Sequence, residues 1–380
     1  MKAVQIILLR IVPLFFYIGS YSQDVFDVII KLPDIKHERL FVSYNDGQTD
    51  KHYKIGNTAQ NVLHITDTFY SRYATIRFAY PDSTETDGIP TFSFWVSSIP
   101  ATISFFKDSS NKKNPFENYK LMNAYAMGEM GEKNLKNFIL HEQKDAKSFY
   151  LTYKDSISKS MRLQAIFKAK INAVVDKELE FIKQNVGSYY SLWLFYNEMA
   201  GSNNYPIDSL LSIYTNVFPD SLKQTYEGNE ILKILQGRTM TKKGESAPEF
   251  QVKDIKGNTV SLNKLHGKYV LIDFWASWCA PCMCLYSTLN EIRKKFSKEK
   301  LEIISVSLDQ DYNSFTKALN SSGANWTQIF RGNDLIKKFA IGPIPQCILV
   351  NKIGVVEYNM EEEKDNYLKK LSEILEIKLN

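Results

Sequence analysis

VLIDFWASWCAPCM, residues 270–283, determines how the last third of the chain folds. Its apolar first half predicts a buried strand, and the segment from about Ala280 to Phe296 predicts a helix. Cys279 and Cys282 therefore lie just after a strand and at the start of a helix. A spacing of three residues in the first helical turn brings both sulfur atoms to one face, close enough for a disulfide.

The start of this helix also favours a reactive cysteine. Unpaired backbone N–H groups and the positive end of the helix dipole stabilise a thiolate there. Pro281 is tolerated in the first turn, because its missing N–H would have no helical partner in any case. The sequence therefore predicts a dithiol whose first cysteine, Cys279, is a nucleophile near neutral pH.

Strands and helices alternate on both sides of this stretch. Further strands are predicted at residues 259–262, 301–308, 346–351 and 354–359, and further helices at about 312–320, 334–339 and 365–377. Such alternation predicts an α/β fold around a mixed sheet.

Residues 244–380 resemble the thioredoxin superfamily and, within it, the exported TlpA/ResA-like branch. The resemblance is carried by APEF at 247–250, KYVLIDFWASWCAPC at 268–282 and IGPIPQCILVNKIGVV at 341–356. It implies a thiol:disulfide oxidoreductase in which Cys279 attacks the substrate and Cys282 releases the mixed disulfide.

The resemblance also implies an acid–base residue. Asp273, six residues before Cys279, matches the buried carboxylate that accepts the proton of the resolving cysteine. Burial should raise the pKa of this carboxyl by desolvation, which suits it to proton exchange. The alternative is an aspartate whose side chain reaches solvent or a lysine.

Substrate-binding residues follow from the same resemblance. Pro345 matches the family's cis-proline, which presents the backbone of Ile344 to an extended substrate, and Pro343 is the competing candidate. Trp278 is expected to shield the attacking cysteine, and Trp275 to pack in the core. Gln346 departs from the family pattern, which usually has threonine there.

The other two cysteines, Cys284 and Cys347, are interpreted as small buried apolar residues. A structural disulfide between them is the alternative. A zinc site is not indicated, because a lone CxxC on a strand-to-helix turn fits redox chemistry better. His266 is the only histidine after residue 248 and lies on a loop, so cysteine–histidine catalysis is not supported. No metal and no cofactor are expected.

The first 22 residues are expected to be a cleaved signal peptide, which places the protein in the periplasm or cell envelope. Arg10 and Pro13 interrupt the apolar run, whereas a membrane span needs about 20 apolar residues. An uncleaved inner-membrane anchor is the alternative. Removing Lys2 and Arg10 lowers the net charge from +5 to +3, which indicates neither nucleic acid nor a membrane surface as partner.

A chain of 380 residues exceeds one ordinary core, so several domains are expected. After the signal peptide we expect an antiparallel β-domain at 23–110, a helical region at 111–237, a linker at 238–248 and the thioredoxin-like domain at 249–380. The order of the first two resembles N-terminal regions fused to thioredoxin-like domains in exported proteins of the Bacteroidetes type, where they would dock a substrate, a membrane or a second subunit.

The sequence thus predicts an enzyme that reduces disulfides of exported proteins. Its partners would be protein thiols or disulfides and a thiol electron donor, either soluble or embedded in the membrane. The resemblance leaves open the direction of electron flow, the substrate and the oligomeric state. A disulfide oxidase or isomerase, or a non-catalytic protein that binds a partner through residues 24–237, are the alternatives.

Overall fold

The computed structural model describes residues 24–33, 40–53, 61–79, 91–106, 116, 118–202, 204–365 and 368–375. These residues form two compact units, one ending at Ala126 and the other starting at Met127. The predicted signal peptide, residues 1–22, lies outside the described residues. Within them, no helix combines the length and the apolar character needed to cross a bilayer.

The first unit consists of two sheets. Its described strands are β1 Asp24–Lys31, β2 Phe41–Asn45, β3 Asp50–Tyr53, β4 Val62–Phe69, β5 Ala74–Ala79, β6 Thr91–Val96, β7 Ala101–Phe105, β8 Tyr119–Met122 and β9 Ala124–Ala126. One sheet has the order β4-β1-β7-β8 and the other β3-β2-β5-β6-β9. Neighbouring strands pair antiparallel, except that β1 and β7 run parallel.

The alternation of buried and exposed side chains along the strands explains how this unit forms its core. In β1, Phe26, Val28 and Ile30 are completely buried, whereas Val25 and Ile29 point to solvent. A strand with one face in the core buries that face and exposes the other to solvent. The predicted antiparallel β-domain is confirmed, and β8 and β9 continue it beyond residue 110.

The helical middle region is also confirmed. Its described α-helices are α1 Lys133–Phe138, α2 Leu140–Ile157, α3 Met161–Gln184, α4 Tyr189–Leu194, α5 Ile207–Asn216, α6 Asp220–Lys223 and α7 Tyr226–Met240. Ser160 caps α3, since its hydroxyl accepts a hydrogen bond from the N–H of Leu163 at 3.3 Å. Leu179 and Ile182 of α3 are buried.

Gly237 does not end α7, contrary to the usual role of a glycine near a helix end. A β-carbon there would lie 2.8 Å from the carbonyl oxygen of Lys338 and 2.9 Å from Cβ of Ala340. The glycine therefore permits close approach of α7 to the chain before the last two strands. The helix continues through Met240, so the first three residues of the predicted linker are helical.

The C-terminal part is an α/β layer structure, as predicted. Its elements are β10 Gln251–Lys253, β11 Thr259–Ser261, β12 Tyr269–Trp275, α8 Ala280–Lys295, β13 Leu301–Ser307, α9 Tyr312–Ser322, β14 Thr327–Ile329, α10 Asn333–Lys338, β15 Gln346–Val350, β16 Val356–Asn359 and α11 Lys369–Ile374. The main sheet has the order β14-β13-β12-β15-β16. The central strand β12 is parallel to β13 and antiparallel to β15, which makes the sheet mixed.

Candidate active site

The two cysteines of the CxxC motif lie where β12 gives way to α8. Cys279 is the N-cap of α8, and its sulfur accepts a hydrogen bond from the backbone N–H of Cys282 at 3.2 Å. The two sulfur atoms form a disulfide, with the Cα atoms 5.2 Å apart. This position gives the Cys279 sulfur the favourable electrostatics of a helix N-terminus.

Both cysteines are largely enclosed. Cys279 exposes 5% and Cys282 2% of its surface, and both join a core cluster that also contains Leu271 and Trp275 of β12. Trp278, directly before Cys279, is 68% exposed. The dithiol is therefore buried on its inner side and bordered by an exposed indole on its outer side.

Asp273 lies in β12 on the same face as Leu271 and Trp275, and it is 2% exposed. Its Oδ2 accepts a hydrogen bond from the hydroxyl of Ser305 at 2.9 Å, and its Oδ1 lies 3.6 Å from the thiol sulfur of Cys347. Burial raises the pKa of the Asp273 carboxyl to about 6, although both hydrogen bonds act in the opposite direction.

Asp273 forms no salt bridge with any side chain in the described part of the chain. Its carboxyl therefore neither reaches solvent nor pairs with a lysine, which were the alternative interpretations. The group combines burial with a pKa near neutrality, as an acid–base residue requires.

The peptide bond between Ile344 and Pro345 is cis. Pro345 immediately precedes β15, which pairs with β12 so that Gln346 lies opposite Phe274 and Cys347 opposite Asp273. Ile344 packs partly buried against the core. The antiparallel register thus brings the Ile344–Pro345 segment to the end of β12 that leads into the CxxC motif.

Comparison with known proteins matches this same region. Residues 243–359 match the model of the AhpC/TSA family. The thiol-disulfide oxidoreductase ResA of Bacillus thuringiensis (strain Al Hakam) is 30% identical over 135 residues, which cover 34% of this chain and 78% of the relative.

The chain belongs to the thiol-disulfide oxidoreductase family.

Two further relatives cover similar shares of the chain. ResA of Geobacillus kaustophilus (strain HTA426) is 27% identical over 147 residues, covering 38% of this chain and 75% of the relative. The solved thioredoxin domain of a thiol-disulfide oxidoreductase from Bacteroides vulgatus is 29% identical, covers 35% of this chain and 97% of that chain, and has a TM-score of 0.32.

The remaining two cysteines are both free, so the alternative of a Cys284–Cys347 disulfide is wrong. Cys347 is fully buried, as expected, but Cys284 is exposed, contrary to expectation. Two residues along a helix correspond to a rotation of about 200°, so Cys284 must face solvent when Cys282 faces the core. Cys284 is thus a surface thiol on α8.

One residue that the sequence did not single out holds the loop before Cys279. The buried carboxylate of Asp309 accepts hydrogen bonds from the backbone N–H of Ser277 at 2.9 Å, from its hydroxyl at 2.6 Å, and from the hydroxyl of Ser307 at 2.8 Å. Asp309 follows β13 as Cys279 follows β12. The carboxyl ends of adjacent parallel strands meet at one edge, which was the signal available in the sequence.

His266 is partly exposed and lies 3.9 Å from Glu249. Within the residues that the structure describes, no group of three or more histidine, cysteine, aspartate or glutamate side chains is placed to hold a metal ion.

Proposed function

We propose that this chain reduces disulfides of exported proteins through the Cys279–Cys282 dithiol. The observation that carries the proposal is the closed Cys279–Cys282 disulfide at the N-terminus of α8, in a domain whose central strand holds a buried aspartate, Asp273, that pairs with no cation among the described residues. A disulfide between the N-cap and the first turn of a helix can open and close with little backbone movement. Such a pair is suited to repeated exchange.

The first step uses the reduced protein. The Cys279 thiolate attacks one sulfur of a substrate disulfide, forms a mixed disulfide with it, and expels the other substrate sulfur as a thiolate. The helix N-terminus stabilises the attacking thiolate, since the free backbone N–H groups and the dipole favour negative charge there.

The second step releases the substrate. Cys282 gives its proton to the Asp273 carboxylate, and its thiolate attacks the Cys279 sulfur. The Cys279–Cys282 disulfide forms, and the second substrate sulfur leaves as a thiolate that takes up a proton. The substrate has then gained two electrons and the protein has lost two, so a thiol electron donor must reduce the protein again.

Substrate is proposed to bind at the surface formed by Trp278, Ile344 and Pro345. An extended segment beside the disulfide would pair with the backbone of Ile344, as a strand pairs with a sheet edge. The exposed indole of Trp278 offers an apolar contact next to Cys279.

The cellular setting follows from the same proposal. Residues 1–22 would direct export to the periplasm or cell envelope, and the mature chain would act in the manner of the TlpA/ResA-like branch. The β-domain at 23–110 and the helical region at 111–237 would dock a substrate, a membrane or a second subunit, with 238–248 joining them to the oxidoreductase domain.

The test is exchange with a disulfide-containing protein such as insulin. Cys279→Ser should abolish reduction of insulin, and Cys282→Ser should trap a covalent mixed disulfide visible on a non-reducing gel. Cys284→Ala, which alters a nearby surface thiol, serves as the control and should retain activity. Turnover by Cys279→Ser would contradict the mechanism.

The direction of electron flow needs a second measurement, in which the Cys279/Cys282 couple is equilibrated with glutathione buffers. A reduction potential near that of thioredoxin, about −270 mV, supports a reductase. A value near that of DsbA, about −120 mV, would instead assign the chain the role of a disulfide donor.

A further inference from the structure

The carboxyl group of Asp273 is surrounded by neutral hydrogen-bond donors instead of cations. The hydroxyl of Ser305 reaches it from β13 and the thiol of Cys347 from β15, and Tyr286 of α8 interacts with it electrostatically. Lysine, arginine and histidine nitrogens are absent from ion-pairing distance among the residues described. A buried carboxylate in such a place depends on hydrogen bonds for the stability of its charged form.

The two oxygens of Asp273 are served by different donors. The hydroxyl of Ser305 accepts a hydrogen bond from Nε1 of Trp326 at 2.9 Å, so its own hydrogen is directed to Oδ2 of Asp273. The thiol of Cys347 is the donor to Oδ1, at 3.6 Å from the sulfur. The S–H group is a weak donor, but among the residues that the structure describes no other hydrogen bond reaches that oxygen.

The thiol of Cys347 keeps its proton and therefore remains a hydrogen-bond donor. Its position directly opposite Asp273 in the β12–β15 register holds the thiol against the carboxylate. Burial and the charge of Asp273 raise the pKa of the thiol well above its usual value. The other titratable groups that act on it electrostatically are Tyr286, Tyr358 and Asp365.

We propose that Cys347 is a positioning residue whose thiol fixes the Asp273 carboxylate, through Oδ1, in the state that accepts the proton of Cys282. This inference rests on the proposed function, because it concerns the second exchange step. Cys347 itself touches no substrate and undergoes no redox change. Loss of its S–H group leaves the charged carboxylate with one donor fewer, so the carboxyl holds its proton to higher pH.

The first test follows thiol release from oxidised glutathione by the reduced protein in a stopped-flow instrument. Release of the second thiol reports the attack of Cys282 on the mixed disulfide. In Cys347→Ala the rate of this phase should begin to rise at a higher pH than in the wild type. Below the inflection of its pH–rate profile, the phase should be roughly 3- to 10-fold slower than in the wild type. The first phase, which depends on Cys279, should be unchanged.

Cys284→Ala is the matched control, because it removes a thiol that is exposed. Its second phase should have the wild-type pH profile. An unshifted inflection in folded Cys347→Ala overturns the role of Cys347. Absence of the second phase in the wild type overturns the proposed function itself, so the two failures are distinguishable.

A second measurement leaves Cys347 in place and does not depend on whether Cys347→Ala folds. In oxidised Cys284→Ala, Cys347 carries the only S–H group of the four cysteines. Its infrared S–H stretching band should shift as Asp273 ionises, and the Asp273→Asn variant should show no such shift. A band that stays constant with pH in the protein with Asp273 overturns the proposal.

Discussion

The side-chain amide of Gln346 donates a hydrogen bond to Oδ1 of Asn359 at 2.8 Å. The amide of Asn359 in turn donates to the carbonyl oxygen of Thr241 at 2.9 Å, just past the end of α7. All three residues are buried. The residue after the cis Ile344–Pro345 bond is therefore connected to the helical region through one asparagine.

Replacement of Asn359 should destabilise this connection. In Asn359→Ala the amide of Gln346 and the carbonyl of Thr241 lose their partner inside the protein, which should cost about 2–3 kcal/mol of unfolding free energy. The measurement is urea denaturation followed by labelling of the buried Cys347 thiol, in a Cys284→Ala background. The exposed Asn313→Ala should change stability by less than about 0.5 kcal/mol. Equal effects of both variants would contradict the connection.

Gly237→Ala should loosen the contact between α7 and the segment after α10. The new β-carbon would meet the Lys338 carbonyl oxygen and the Ala340 side chain below ordinary contact distance. Such overpacking should cost about 1–3 kcal/mol, which exceeds the gain in helix propensity from replacing glycine. Urea denaturation measures the cost. Gly187→Ala, where a β-carbon meets nothing within 4 Å, is the control and should not be destabilised.

Asp309→Ala should impair exchange without touching a cysteine. The backbone N–H of Ser277 and the hydroxyls of Ser277 and Ser307 would lose their acceptor, which should cost about 2–4 kcal/mol of stability. The freed loop before Cys279 should also slow insulin reduction. Ser277→Ala removes one of these bonds and should lose less on both measures. A fully active Asp309→Ala protein would refute the positioning role.

The raised pKa of Asp273 predicts a pH-dependent stability. An aspartate in the unfolded chain ionises near pH 4, whereas the folded protein keeps this proton until about pH 6. The contribution of this group is therefore fully present below about pH 4 and is lost as pH rises through about 6, by about 3 kcal/mol. Asp273→Asn lacks this titration.

The oxidised Asp273→Asn protein should thus gain stability relative to the wild type as pH rises. The difference between the two unfolding free energies, measured in urea at pH 4.5 and 7.5, should change by about 2–3 kcal/mol in favour of the variant. Asn313→Ala, which removes no titratable group from the exposed surface of α9, is the control, and its difference should be nearly constant. A constant difference for Asp273→Asn as well would show that its pKa is not raised.

Local patterns predict much of the C-terminal domain. The apolar run before Cys279 and the helical start at Ala280 leave little freedom in how β12 meets α8. The exposed position of Cys284 also follows from helix geometry, but its burial was wrongly expected because free cysteine is usually buried. The rotation of about 200° between positions 282 and 284 places Cys284 on the solvent side of α8.

Contacts across strands are not visible in the sequence. The pairing of Asp273 with Cys347 depends on the β12–β15 register, and a shift by one residue would turn either side chain to the other face. The link from Gln346 to Thr241 spans more than a hundred residues. The three-residue strand β14 has no recognisable period, so it escaped prediction.

The anchoring of Ser277 by Asp309 has one consequence for the redox cycle. None of its hydrogen bonds involves a cysteine sulfur. They join Asp309 to Ser277, which precedes Cys279, and to Ser307 at the end of the neighbouring strand β13. Opening the disulfide therefore breaks none of these hydrogen bonds, and the loop before Cys279 can keep its anchor in both redox states. An anchor that is already formed before an exchange step adds no reorganisation energy to that step.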